Sequence, residues 1–417
     1  MKESAWLAVR TPFYLCAQRR CVWRPTLVCS EATRPLCVES DERSHRAVVL
    51  FYCAKAREIG CVPLKAERRI GDAQMLQMFT PIQIKDMTVR NRITLPPMCM
   101  YCAGADGLPN DSHFVHYVSR AVGGTGLIIM EATAVLPRGR ISDHCLGLWN
   151  DQQVQAIGRI VKACQARGAK MAIQLNHAGR KCAAKAEPYI HAPSPIAFSD
   201  EYQTPRAITL PELDEVVNAF RAAARRALGA GFDALEIHAA HGYLISEFLS
   251  PLTNHRTDEY GGSLENRCRL LERILAAVRE EWPQEKPLLV RVSAEDYLEG
   301  GIHPDDMVQI VNRIKPWADM IDVSTGGVAN APIKVYPGYQ VKAAQKIREA
   351  CAIPTIAVGL IKDPQVVEEI LGNGRADMVG LGREQFRNPN WVLNVARDYG
   401  VEYTWPDSYQ EAFEARK

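Results

Sequence analysis

From about residue 78 the chain repeats one pattern: a short run rich in β-branched and apolar residues, then a longer amphipathic stretch. The strand-like runs are "RITLPPM" (92–98), "GLIIMEAT" (126–133), "KMAIQLNH" (170–177), "ALEIHAA" (234–240), "PLLVRVSA" (287–294), "MIDVSTG" (320–326), "TIAVG" (355–359) and "MVGLGRE" (378–384). Helix-like stretches fall near 113–122, 151–167, 211–230, 265–281, 304–316, 340–351, 364–373 and 389–399. Thr209, with Pro211 and Glu212 behind it, marks one helix start, and Ser263 with Asn266 marks another. Strand followed by helix, eight times over, predicts an α/β chain folded as a (β/α)8 barrel. A doubly wound sheet is the structural alternative, but it usually carries a Gly-rich dinucleotide turn after its first strand. Here the first strand runs into "PPMCMY", and no G-x-G-x-x-G follows any strand. The stretch "RKCAAKAEPYIHAPSPIAFSDEYQTPRAI" (180–208) after strand three is rich in Pro and Ser and reads as a lid, loop or hairpin insertion, not a second domain.

Barrel chemistry sits at the C-terminal ends of strands. Position alone then nominates Pro97, Met98 and Cys99; Ala132 and Thr133; Gln174 and His177; His238 and His241; Arg291; Gly326 and Gly327; Gly359; Gly382 and Arg383. These ends hold no carboxylate cluster, which disfavours two-metal and glycosidase chemistry. They hold no Lys for a Schiff base. The glycines and the Arg at strands six to eight suit a phosphate held by amide donors and a helix N-terminus. His238 and His241, three residues apart, suit a metal, an acid–base pair or a carbonyl clamp. Zinc would need a third ligand, for which His177 is the available candidate.

Composition narrows the partners. The 417 residues are 47% apolar and 24% charged with net charge +2, an ordinary globular balance with no electrostatic case for nucleic acid. No apolar run approaches the ~20 residues that span a bilayer. Residues 1–74 stand apart from 75–417. They hold 13 Lys/Arg against 8 Asp/Glu, about +5, and 6 of the 13 cysteines. This extension reads as a translated upstream region with the start at Met75 or Met78, as an organelle-targeting leader, or as a disordered, partner-binding segment. The seven later cysteines follow no framework spacing, which argues for free thiols in a reducing, cytoplasmic setting; an organelle is the alternative if the extension is a leader.

Residues 78–400 resemble the Old Yellow Enzyme family of FMN-dependent ene reductases, in its thermophilic-like, bacterial-type branch. The motifs are "FTPIQIKDMTVRNRITLPPMCMY", "LIIMEATAV", "IQLNHAGRK", "EIHAAHGYLISEFLSPLTNHRTDEYGGSLENR", "VRVSAEDY" and "VGLGREQFRNP". The resemblance implies FMN as cofactor, NAD(P)H as a transient hydride donor and an activated alkene as substrate. It implies that Pro96, Pro97, Met98 and Cys99 run along the flavin ring, with Cys99 also touching substrate. Ala132 and Gln174 would meet the pyrimidine end, Arg291 would face N1 and O2, and Gly359, Gly382 and Arg383 would hold the phosphate. His238 and His241 would bind the activating oxygen of the substrate. Tyr243 would donate the proton, and Tyr101 would be a substrate contact. It implies no metal: the "HAGR" histidine, His177, would lie in a loop near the flavin. Multidomain relatives carry four cysteines after the barrel for an iron–sulfur cluster, and none follows Cys351 here. Branch members often pass a C-terminal residue into a neighbouring subunit. The tail "YTWPDSYQEAFEARK" matches that habit poorly, so a homo-oligomer is left open.

Overall fold

A closed parallel barrel buries both faces of every strand, one against the helices and one in the lumen, and so demands strands that are apolar nearly throughout. The computed structural model describes residues 76–183 and 188–401, with a two-residue antiparallel ladder, Ser40–Asp41 against Arg46–Ala47. The chain divides into two units, Met1–Asp72 and Ala73–Lys417. The readings of residues 1–74 and of the C-terminal tail fall outside the described residues.

The barrel strands are β1 (Ile93–Leu95), β2 (Leu127–Ala134), β3 (Lys170–Asn176), β4 (Ala234–Ala239), β5 (Leu288–Ser293), β6 (Met320–Ser324), β7 (Thr355–Ala357) and β8 (Met378–Gly380). They close in chain order, every pair parallel, as the sequence predicts. The helices are α1 (Asp111–Val122), α2 (Asp151–Gln165), α3 (Leu210–Gly229), α4 (Leu244–Leu249), α5 (Leu264–Glu281), α6 (Pro304–Ile314), α7 (Val341–Cys351), α8 (Pro364–Gly372), α9 (Gly382–Arg387) and α10 (Trp391–Asp398). Thr209 caps α3: its backbone N–H donates to the Glu212 carboxylate at 2.9 Å. Ser263 caps α5, its hydroxyl accepting from Asn266 N–H at 3.2 Å.

Three differences from the sequence reading have local causes. The run 92–98 narrows to Ile93–Leu95, because Pro96 and Pro97 have no N–H to give a ladder. Helices α4 and α9 are single six-residue pieces, too short to show a 3.6-residue period. The insertion takes its loop form: its small ladder, His191–Ala192 with Arg206–Ala207, is parallel, so it is not a hairpin.

The lumen explains where chemistry can sit. An antiparallel hairpin, Ile82–Ile84 with Met87–Val89, precedes β1. Its Ile84, Met87 and Val89 pack with Leu127, Ile129, Ala172, Ala234, Leu289, Met320, Ile356 and Met378 into one apolar cluster that closes the N-terminal end. Side chains alternate along a strand. Two residues beyond each floor residue therefore come Gln174 on β3, Glu236 on β4, Arg291 on β5 and Asp322 on β6. Two further on come Asn176, His238, Ser293 and Ser324. The lumen thus runs from an apolar floor, through a charged layer, to a hydrogen-bonding rim. No helix among the described residues is long and apolar enough to cross a membrane.

Candidate active site

The rim opens into a cleft of about 570 Å³. Of the residues nominated from sequence, Pro96, Met98, His241, Arg291, Gly359, Gly382 and Arg383 line it. Pro97 lies just below, its carbonyl 3.5 Å from Arg291 Nη1. Gly359 sits at φ +124, where a side chain is strained. At Gly382 a Cβ would come within 2.9 Å of Met98 Sδ. These two positions keep bare backbone at the β7–β8 end of the cleft, beside the Arg383 guanidinium. That is a cradle suited to a phosphate.

Cys99, Tyr101 and Ala132 gather together and are not among the residues lining this cleft. Cys99 has the Tyr101 hydroxyl and the Ala132 backbone beside its sulfur. Burial first, and then the nearby Glu131 carboxylate, push the Cys99 thiol well up, so it is protonated at neutral pH. Cys102 turns away to the His113 ring, 3.7 Å from Nε2, and both cysteines are free thiols. Tyr101 adopts φ +52 and is 49% exposed, at the mouth rather than in the wall.

The histidines form the best-defined part of the site. His238 lies at the inward rim of β4, 3% exposed. Its Nδ1 accepts the Ala240 N–H at 3.2 Å, which leaves the proton on Nε2. His241 adopts φ +61, and its own N–H donates to Ser293 Oγ at 2.9 Å. That left-handed residue turns the ring back, so that His241 Nδ1 faces His238 Nε2 at 3.4 Å while His241 Nε2 meets Ser324 Oγ at 2.8 Å. Burial holds both rings neutral, far below the usual histidine range, and Arg291 and Lys181 add to the effect. Tyr243 stands edge-on to His238, with ring centroids 4.9 Å apart. Burial raises its hydroxyl well above the usual range.

The third zinc ligand contemplated for His177 does not arise. His177 is buried in its loop, its Nδ1 accepting from Gly179 N–H at 3.2 Å, and burial lowers it to about 3. Among the described residues no group of three or more His, Cys, Asp or Glu could hold a metal ion.

Several site residues were not singled out from sequence. Lys181 donates to the carbonyls of His241 (2.8 Å) and Gly327 (2.5 Å), tying the β4 loop to the β6 loop. Ser324 and Gln340 support His241, the Gln340 amide donating to Ser324 Oγ at 3.2 Å. Glu236 and Asp322 lie one layer below the rim, in the layer from which Gln174 and Arg291 were nominated, but were themselves passed over. Their signal was legible all the same: an acid inside an otherwise apolar parallel strand, "ALEIHAA" or "MIDVSTG", is rare without a partner.

Gly242 offers a test of the loop tie. It adopts φ +68, and a Cβ there would lie 2.3 Å from the Gly327 carbonyl oxygen. Gly242→Ala is expected to cost roughly 1–3 kcal/mol in urea unfolding.

A parallel barrel with bare backbone and Arg383 at the β7–β8 end, an arginine in the lumen and neutral histidines at the rim fits a flavin-nucleotide oxidoreductase. The chain belongs to the NADH:flavin oxidoreductase / NADH oxidase family, whose model matches residues 77–401; this is the Old Yellow Enzyme family of the motifs above. It is 54% identical over 340 residues to an NADPH dehydrogenase of Clostridium acetobutylicum, covering 81% of this chain and 100% of that one. It is 48% identical over 339 residues to the NADPH dehydrogenase of Bacillus subtilis, covering 81% and 99%. Among solved structures it is similar to morphinone reductase, with TM-score 0.66, 28% identity and coverage of 79% of this chain and 91% of that one. It is also similar to a 2-naphthoyl-CoA reductase, with TM-score 0.74, 26% identity and coverage of 77% of this chain and 52% of that longer one. The protein is an FMN-dependent NAD(P)H oxidoreductase.

Proposed function

We propose that the protein is an ene reductase: it reduces the activated C=C bond of α,β-unsaturated carbonyl or nitro compounds. The observation that carries this reading is the His238 Nε2 to His241 Nδ1 approach at 3.4 Å between two neutral rings. In this reading the proton shared at 2.8 Å belongs to the Ser324 hydroxyl as donor to His241 Nε2, which leaves the His241 proton on Nδ1. Two N–H groups then point at one place. Such a pair is unfavourable empty and well matched to an oxygen that gains negative charge.

Pro96, Pro97, Met98 and Cys99 would lie along the ring of FMN, Ala132 and Gln174 at its pyrimidine end, and Arg291 beside it as the local positive charge. Gly359, Gly382 and Arg383 would hold its phosphate. When bound, the cofactor carries a hydride from NAD(P)H to the β carbon of the alkene. His238 and His241 hold the activating oxygen and stabilise the charge that develops there. Tyr243, kept protonated by burial, gives its proton to the α carbon. Tyr101 and Cys99 border the substrate. The free thiols fit a reducing compartment such as the cytoplasm.

The test is spectroscopic. The purified protein is expected to be yellow, to bleach anaerobically with NADPH, and to recover its colour when cyclohexenone is added. Bleaching without recovery by any enone, maleimide or nitroalkene would refute the substrate assignment. An isomerisation reading would require turnover with no bleaching at all.

A further inference from the structure

The charged layer beneath the rim holds two carboxylates and one cation. Asp322 Oδ2 lies 3.1 Å from Arg291 Nε, an ion-pair contact without hydrogen-bond alignment, and the two residues are direct partners across β5 and β6. Glu236 has a different neighbour. Its Oε1 accepts from the Gln174 amide at 2.8 Å across β4 and β3, and Oε2 has no partner. Both acids are wholly buried. The groups facing Glu236 are Gln174 on β3, Arg291 on β5 and Asp322 on β6. The layer below is hydrocarbon, and the layer above on its own strand is the neutral His238.

We propose that Glu236 carries a proton at neutral pH, so that the layer under the flavin is a neutral acid beside an Asp322–Arg291 ion pair, and that Asp322 thereby sets how much of the Arg291 charge reaches the flavin. This rests on the reading above that Arg291 faces the pyrimidine ring. Burial pushes both acids up; the guanidinium 3.1 Å from Asp322 pulls that acid back down, whereas the hydrogen bond to Glu236 comes from a neutral amide and the Asp322 charge pushes Glu236 further up. One cation can neutralise one acid, and the geometry gives it to Asp322. Burial, reinforced by the Asp322 charge, pushes Glu236 well up, in the same direction. Asp322 is then a positioning residue. It cancels part of the positive charge that would favour two-electron reduction of the cofactor.

Glu247, pushed up to about 8 by burial, and Glu131, pushed up to about 7, also contribute protonated-carboxyl infrared C=O absorption, so the readout is a difference: the holoenzyme in D2O at neutral pH is expected to lose one such component in the near-isosteric Glu236→Gln. That variant should leave the flavin midpoint potential unchanged, because it replaces one neutral group by another. The double variant Glu236→Gln/Asp322→Asn removes the buried anion. It should shift the reduced-to-oxidised ratio in a fixed redox buffer by about tenfold towards reduced, ~30 mV for a two-electron couple. A difference spectrum, wild type minus Glu236→Gln, with no protonated-carboxyl component, or a Glu236→Gln potential already raised as far as expected for the double variant, overturns the inference. If Glu236→Gln does not fold, Glu236→Asp replaces it: one protonated-carboxyl component must shift in frequency with the potential unchanged, and an unshifted spectrum is equally fatal. Arg291→Met separates the two levels. It should lower the potential; an unchanged potential means that Arg291 does not face the flavin, and the site reading itself has failed.

Discussion

Replacing His238 or His241 by alanine is expected to slow reoxidation of the reduced enzyme by an enone roughly 10²–10³-fold, the usual cost of losing one preorganised donor to a developing oxyanion. Reduction by NADPH should change much less, since no oxyanion forms in that half of the cycle. Phenol binding, measured by the long-wavelength absorbance it induces in the flavin, should weaken in parallel. The two changes should not add: His238 Nε2 and His241 Nδ1 are 3.4 Å apart and share one target, so the second removal takes away an interaction already degraded. Stopped-flow measurement of the two half-reactions decides the matter. A double variant that reduces enones at the wild-type rate would mean that the clamp has been placed on the wrong residues.

Tyr243→Phe is expected to slow the same half-reaction by about 10²–10⁴-fold, the range for a positioned general acid. The sign of the pH dependence follows from burial. Because the Tyr243 hydroxyl titrates well above its usual range, it is protonated throughout the neutral and mildly alkaline region. The wild-type oxidative rate should therefore stay flat there and fall only beyond the usual phenol value of about 10. Tyr101→Phe should cost much less, since Tyr101 is half exposed at the mouth. If the two effects were reversed, Tyr101 would be the donor.

The barrel was legible because its signals are local and periodic. Each strand reads as a short apolar run, each long helix has a 3.6-residue stripe, and Thr209 and Ser263 announce helix starts that the structure keeps. The rim was legible through one rule, that barrel chemistry sits at the C-terminal strand ends; it names His238, Arg291, Gly359 and Gly382 without any contact being known. The same rule took Gln174 and Arg291 from the layer one alternation lower and passed over Glu236 and Asp322 in that layer. It had no means of finding Lys181, whose importance lies in two carbonyls, His241 and Gly327, that are 60 and 146 residues away along the chain.

The amino-acid order alone determined the strand and helix sequence, and with it the closed barrel, because hydrophobic periodicity and capping act over a few residues. It also placed neutral-capable histidines, an arginine and bare glycines at the same end of that barrel. The tertiary structure decided what those residues are to one another. The left-handed turn at His241 brings its Nδ1 back onto His238 Nε2, Ser324 supplies the partner that fixes its ring, and barrel closure sets Arg291 beside Asp322. Those outcomes depend on distances between strands, which no local pattern encodes.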